Sequence, residues 1–491
     1  MLNNITCAGS RPAANVYNEA EAIALLLCKE CVAGLNKLQL PQEVEALVDL
    51  YVKAHEDIFD CEAVNNLTAL VNGRLVSIVL VGCGEGSDCK PNNFRKAAGA
   101  AARALQKLAV TKAAVAAPIL LNNKRSHYLQ AVGEGLYLGA YSFTEFKEPK
   151  KAKPMTITIV HECEEKALTD AAIISQAVSY ARTMVNRPGN VVYPEVMAKE
   201  AEAVAKELNL ELEVLDEEAM AAKGMAALLA VGQGSVHKPR LITLTYKGAG
   251  EAPFIAYVGK GITFDSGGIS IKPDDNMGEM KDDMAGAAAV LGAIKAIAAL
   301  KLPVNVLAVL ACAENMPGGN AQRPGDIVKA ANGKTIEVIS TDAEGRMVLA
   351  DAVWYACRKG AAKVIDIATL TGAVIVALGK ETSGIISNDE ALVQALMGAG
   401  KRCGEGWWQL PSLPECKEAL KSDVADLLNS AGRAGGCITG GLFIGEFVDK
   451  GLPWAHLDIG GTSTSDKVAG HIVKGGTGFG TMTLIRLAGD L

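Results

Sequence analysis

Histidine is scarce in this chain: there are six in 491 residues, and none forms an H-E-x-x-H pair. That excludes the commonest zinc-protease helix. His161-Glu162 has no second histidine four residues on, and His456 lies in an apolar, strand-like run that suits a structural role better than a ligand. No apolar run approaches the length that spans a bilayer, so no membrane partner is expected. The first residues lack a cationic-plus-apolar leader, so no secretory signal is visible and a cytoplasmic location is expected. There is no fixed-period repeat and no low-complexity tract. A formal charge of −7 leaves no basic excess, which argues against a nucleic-acid partner.

Cysteine is plentiful but scattered. Cys28 and Cys31 form a C-x-x-C, and the apolar run around them predicts a helix over 17–35. A thioredoxin-like motif wants a strand before it, and a zinc site wants a second pair. Cys83 and Cys89 are too irregularly spaced to complete one. Ordinary reduced cysteines of a cytosolic protein are the expectation.

At 491 residues, 49% of them hydrophobic, the chain is long enough for two cores. Fifty-one glycines suit an α/β protein with many tight turns. A smaller N-terminal α/β domain is expected over 1–150, a linker and bridging helix over 151–185, and the larger domain over 186–491. The charged, proline-punctuated stretch 147–154 marks the linker. In the first domain the pattern predicts strands at 75–81 and 113–117 and helices at 94–108 and 128–141. A strand at 156–160 and a helix at 170–185 follow. Strands are then predicted at 241–246, 254–258, 304–311, 336–340, 364–367, 384–387 and 454–458, mostly alternating with helices. Such alternation predicts a largely parallel sheet covered on both faces. The loop Gly82-Cys83-Gly84-Glu85-Gly86 follows a strand, as phosphate-cradling loops do. No helix starts at once after it and no ribose-binding acid is evident, so a structural role is expected.

The most informative stretch is 340–350, Ser-Thr-Asp-Ala-Glu-Gly-Arg-Met-Val-Leu-Ala. Asp342, Glu344 and Arg346 alternate, which in an extended segment puts them on one side of the backbone. Two carboxylates that close repel unless a cation sits between them, and a hard divalent ion is the obvious candidate. Arg346 is then free to hold an anion or to pair internally with Asp342 or Glu344. A helix is predicted over 347–359, so the acids lie where strand hands over to helix, where α/β proteins collect ligands. A second charged segment, 259–285, surrounds an apolar strand with Lys260, Asp265, Lys272 and Asp283. Singly, these are a surface lysine, a turn aspartate before Ser-Gly-Gly, a lysine before proline, and a helix N-cap.

Together, Lys260, Asp265, Lys272, Asp283 and Thr341-Asp342-Ala343-Glu344-Gly345-Arg346 resemble the leucyl aminopeptidase family, the dinuclear-metal cytosol aminopeptidases. Further matching blocks include Asn186-Arg187-Pro188-Gly189-Asn190, Ala313-Glu314-Asn315-Met316-Pro317, Ala368-Thr369-Leu370-Thr371-Gly372-Ala373 and Ala455-His456-Leu457-Asp458-Ile459. The resemblance covers about 155–491 well and the first 150 residues loosely.

It implies a macro-like N-terminal α/β domain and a C-terminal α/β/α catalytic domain. It implies two divalent ions per subunit, Mn²⁺ or Zn²⁺, held by Lys260, Asp265, Asp283, Asp342 and Glu344, with Asp265 and Glu344 bridging. Four carboxylates nearly neutralise two such ions, and a shared hydroxide is the expected nucleophile. Lys260 would bind as a neutral amine, which needs a strongly depressed pKa. Lys272 would stabilise the oxyanion, and Arg346 would hold a bicarbonate as general base, since arginine itself is too basic. The substrate would be a peptide with a free amino terminus, often with leucine or another apolar residue first. The assembly would be a homohexamer.

Met280, Thr369, Gly372 and Gly460 match pocket positions for the first side chain. Gly460 stands where alanine is common, and Thr462, Ser463 and Thr464 follow where some members carry bulkier or apolar residues. A roomier, more polar pocket is therefore expected. Ser340 and Gly319 also depart from the usual asparagine and serine without touching a proposed ligand. A metal-dependent phosphoesterase or nuclease, and a non-enzymatic relative, are the competing readings. The first wants more anion-loving loops than Lys272, Lys281 and Arg346 supply, and the second wants a missing ligand.

Overall fold

The computed structural model describes residues 4–86, 89–148 and 153–490. The predicted linker therefore lies partly outside the described residues. The chain divides into two compact units. One runs up to Ser179 and also takes in Asp466–Lys474; the other comprises Tyr180–Ser465 and Gly475–Leu491. The division falls within the long helix Lys166–Asn186.

The first unit is built on a six-stranded sheet. Its strands lie in the order Ile5–Ser10, Met155–Val160, Lys112–Ala116, Ala22–Leu27, Arg74–Gly82 and Val64–Val71. All neighbours are parallel except the last pair, a hairpin. The sheet overturns the helix expected over 17–35. Ala22–Leu27 is a wholly buried strand, preceded by the short helix Ala14–Glu19 and followed by the 3₁₀ turn Val32–Leu38. Ile23, Leu25 and Leu27 pack into one hydrophobic cluster, and Ala22, Ala24 and Leu26 into another. A strand buried on both faces shows no polar alternation, so its apolar run imitates a helix.

The second unit carries an eight-stranded mixed sheet. The order is Gly406–Gln409, Thr382–Ser387, Trp454–Asp458, Ala361–Ala368, Phe254–Asp265, Asn305–Asn315, Arg240–Lys247 and Glu211–Leu215. The middle strands are parallel, and antiparallel pairings lie toward both edges. The central strand Phe254–Asp265 runs further than expected, and this extension carries Lys260 and Asp265 to its carboxyl end. Against it packs Ala285–Ala299, an alanine-rich helix buried almost all round. The predicted strand 336–340 is only Thr335–Glu337, and it belongs to a separate three-stranded sheet.

Among the described residues no helix is long and apolar enough to cross a membrane. His456 is fully buried, its Nδ1 2.5 Å from Asp366 Oδ1, while Trp454 Nε1 donates to Asp366 Oδ2 at 2.7 Å. That is an internal polar cluster, in keeping with a structural histidine.

Candidate metal centre and active site

Three parallel strands deliver their carboxyl ends to one place. Asp265 closes the central strand, in register with Asn315 on one neighbour. Directly after it the chain reverses through Gly267 and Gly268, both at positive φ (86° and 68°), which favours glycine. The bend turns the Gly267 N–H back to Asp265 Oδ1 at 2.9 Å, and Asn315 Nδ2 donates to the same oxygen at 2.8 Å. Thr341 Oγ1 donates to Gly267 O at 2.6 Å, which pins the segment before Asp342 against this bend.

Here one local expectation fails. Asp342, Glu344 and Arg346 do not alternate along an extended segment, because the helix begins earlier than predicted and runs Glu344–Arg358. Glu344 and Arg346 therefore sit in its first turn and diverge. The carboxylates meet nonetheless: Asp265, Asp342 and Glu344 each offer an oxygen within 4.8 Å of the others. Asp283 is not the N-cap of the following helix. Its Oδ1 accepts from Lys260 Nζ at 2.7 Å and from Thr369 Oγ1 at 2.7 Å.

Two lysines thread the cluster. Lys260 Nζ lies 2.8 Å from Glu344 Oε1 and donates to Thr369 O at 2.8 Å. Lys272 Nζ lies 2.8 Å from Asp265 Oδ2 and 2.6 Å from Asp342 Oδ1. Burial opposes charge on both lysines, but the surrounding carboxylates outweigh it and raise both pKa values. Burial, reinforced by mutual repulsion, also pushes Asp265, Asp283 and Asp342 up. Four carboxylates buried against two ammonium groups therefore favour bound protons, or a cation in their place.

Asp283 Oδ2 and Glu344 Oε2 are moreover buried without a hydrogen-bond partner. Unpaired buried carboxylate oxygens are costly. An oxygen-rich set of this kind fits hard divalent cations. Arg346 is buried; its Nη1 donates to Asn429 O at 2.9 Å, while its Nε has no partner. Neither Asp342 nor Glu344 forms an ion pair with it among the described contacts.

Lys260, Asp265, Lys272, Asp283, Asp342, Glu344 and Arg346 line one cavity of about 1140 Å³. Met280, Thr369, Gly372 and Gly460 line it too, together with Asp282, whose carboxyl burial pushes up to about 6. Of the three polar residues after Gly461 only Ser463 reaches the cavity. Thr462 Oγ1 is instead bonded to Ser383 Oγ at 2.7 Å, and Thr464 lies in a two-stranded ribbon, so the expected polar contribution shrinks to one hydroxyl.

Sequence reasoning gave no role to Asn315, Asp458 or Gly345. Asp458 is fully buried and accepts from Thr371 Oγ1 at 2.6 Å and from the Gly460 N–H at 3.1 Å, which joins two walls of the cavity. At Gly345 a β-carbon would stand 2.5 Å from Lys260 Cε and 2.7 Å from Nζ. Gly345→Ala should fold normally, since alanine favours a helix by about 1 kcal/mol. It should displace the Lys260 amine and, if that amine is a metal ligand, weaken Mn²⁺ binding roughly 10- to 100-fold, the range for disturbed ligand support. Calorimetric titration with Mn²⁺ checks this; unchanged affinity would mean that Lys260 has room to spare.

Comparison with known proteins agrees with this geometry. Residues 179–485 match the model of the cytosol aminopeptidase family catalytic domain, and residues 62–150 that of its N-terminal domain. A protein of Alkaliphilus metalliredigens named "Probable cytosol aminopeptidase" is 43% identical over 463 residues, 91% of this chain and 92% of its own. One of the same name from Geotalea uraniireducens is 45% identical over 418 residues, 83% of this chain and 84% of its own. Among solved structures, a tomato leucine aminopeptidase variant aligns with a TM-score of 0.88 at 33% identity, covering 99% of this chain and 97% of its own. The bottromycin maturation enzyme BotP in complex with Mn aligns with a TM-score of 0.86 at 32% identity, covering 96% and 99%. With the two-unit α/β architecture and the carboxylate–lysine cluster in place, the chain belongs to the cytosol aminopeptidase family and is a metal-dependent aminopeptidase.

Proposed function

We propose that Lys260, Asp265, Asp283, Asp342 and Glu344 hold two divalent ions, Mn²⁺ or Zn²⁺, and that the cavity above them takes the first residue of a peptide. The observation that carries this reading is the convergence of four carboxylates on two lysines with Asp283 Oδ2 and Glu344 Oε2 left unpaired. When bound, the ions supply an activated water and Lewis-acid polarisation of the scissile carbonyl.

The remaining work falls to the chain. Lys272, held between Asp265 and Asp342 and kept protonated by them, presents positive charge to the carbonyl oxygen as it becomes tetrahedral. Lys260 serves as a nitrogen ligand after giving up its proton. Arg346, with an unpaired buried Nε, would seat a bicarbonate that acts as general base. Met280, Thr369, Gly372 and Gly460 shape the pocket for leucine and other mainly apolar residues. Its relatives' designation as cytosol aminopeptidases supports a cytoplasmic location. The resemblance supports a homohexamer, with a macro-like domain over 1–150, a linker and bridging helix over 151–185, and the catalytic domain over 186–491.

A free amino terminus is the anchor that makes such a site an exopeptidase. Leu-Gly should therefore be hydrolysed and acetyl-Leu-Gly left intact, because acetylation delocalises the amine's lone pair into an amide and adds bulk. Liquid chromatography of the two digests at equal enzyme and metal reads this directly. Comparable turnover would reject amino-terminal recognition, and cleavage of a phosphodiester instead would move the site to another reaction class.

A further inference from the structure

The fold brings Cys28, Cys31 and Cys89 together in the first unit, although the last two are 58 positions apart in sequence. The strands Ala22–Leu27 and Arg74–Gly82 are parallel neighbours, with Leu27 opposite Gly82. Cys28 and Cys31 lie just beyond the first, and Cys89 lies between the second and the helix Pro91–Lys107. The C-x-x-C that seemed to lie within a helix thus follows a strand, at the sheet end where open α/β folds bind ligands. The three sulfur atoms lie within 4.8 Å of one another, and Cys89 Sγ is 2.6 Å from Cys28 Sγ. The Cys89 thiol donates to the Cys28 sulfur.

The two loops are tied together around them. Lys29 pairs with Glu85 at 2.9 Å, the Gly86 N–H donates to Glu30 Oε1, and Tyr128 Oη donates to Cys89 O at 2.9 Å. Cys28 is buried, whereas Cys31 and Cys89 are partly exposed, so the cluster opens to solvent on one side. Cys83, close in sequence, is not a member: its buried thiol faces Val81 O.

The geometry points to a second metal site, at which Cys28, Cys31 and Cys89 bind one thiophilic cation of the zinc class. Thiolate sulfur is a soft donor, unlike the oxygen-rich peptidase centre, so the two sites select different ions. Metal–sulfur bonds of about 2.3 Å in a tetrahedron need sulfurs about 3.8 Å apart. Cys28 and Cys89 reach that by opening about 1 Å, and the solvent side leaves room for a fourth ligand. Binding by three thiols releases up to three protons. An ion there would clamp the two loops.

The test uses the reduced full-length protein with its peptidase centre saturated with Mn²⁺, and Cd²⁺ as probe. Sulfur-to-cadmium charge transfer absorbs in the ultraviolet, and the peptidase centre has no sulfur ligand to contribute. The band should saturate at one Cd²⁺ per chain. Cys31→Ser and Cys89→Ser should each lose a third or more of it and bind Cd²⁺ at least 10-fold more weakly, whereas Cys83→Ser should keep it. Retained Leu-Gly hydrolysis shows that the variants fold. Should they not fold, peptide mapping of the wild type decides: Zn²⁺ should protect these three cysteines from alkylation and leave exposed Cys61 reactive. A missing band, a band indifferent to Cys31 and Cys89, absent protection, or a Cys28–Cys89 disulfide in protein purified anaerobically would each overturn the assignment.

Discussion

Lys272→Ala should keep its bound metal and lose on the order of 100- to 1000-fold in turnover, the usual cost of removing one transition-state donor. Lys260→Ala should do the opposite at the metal level, emerging with lowered occupancy. The two lysines are only twelve positions apart in sequence, but their surroundings differ. Lys260 is 2% exposed and lodged between Asp283, Glu344 and Thr369 O, where its nitrogen can serve only the cluster itself. Lys272 is 22% exposed and approaches Asp265 and Asp342 from the open side, where a substrate carbonyl would arrive. Elemental analysis beside steady-state kinetics separates the two roles. Metal loss in Lys272→Ala with full occupancy in Lys260→Ala would reverse the assignments. Arg346→Ala should keep both ions with a milder loss of turnover that added bicarbonate does not restore, because the seat of the anion is gone.

Much of this centre could be read from the chain, and the reasons are physical. Lys260, Asp265, Lys272 and Asp283 stand out because charge so close to an apolar strand is expensive without a purpose. The parallel sheet is visible because its strands alternate with helices. What stayed hidden depends on tertiary context. Ala22–Leu27 has no polar face to betray it, so its strand character appears only once both faces are covered. The helix starts at Glu344 rather than at Met347, so the spacing of Asp342, Glu344 and Arg346 suggested a shared face that they do not have. Asn315 aligns with Asp265 by strand register, a long-range relation that no local pattern encodes. Gly345 is unremarkable until Lys260 lies against it, and the three-cysteine cluster exists only because two strands are neighbours.

Stripping the protein with a strong chelator should abolish Leu-Gly hydrolysis, and Mn²⁺ or Zn²⁺ should restore it. Asp265, Asp283, Asp342 and Glu344 then face only two ammonium groups, and nothing else in the cluster activates water. Because an ion at 1000 times its dissociation constant stabilises the folded form by about 4 kcal/mol, the catalytic unit should also unfold at a lower temperature. The pH dependence has a definite sign. Burial first, and neighbouring charge second, raise Asp265 and Asp342, while the carboxylates around Lys260 raise its pKa despite its burial. Each of these groups must be deprotonated to bind a cation, so protons compete with metal. The Mn²⁺ concentration for half-maximal activity should therefore rise as pH falls, and proton release should accompany Mn²⁺ binding in weakly buffered solution. Full activity in demonstrably metal-free protein would reject the metal dependence itself. Normal reactivation with no proton release would instead leave the metals in place and remove Lys260 and the raised aspartates from their coordination.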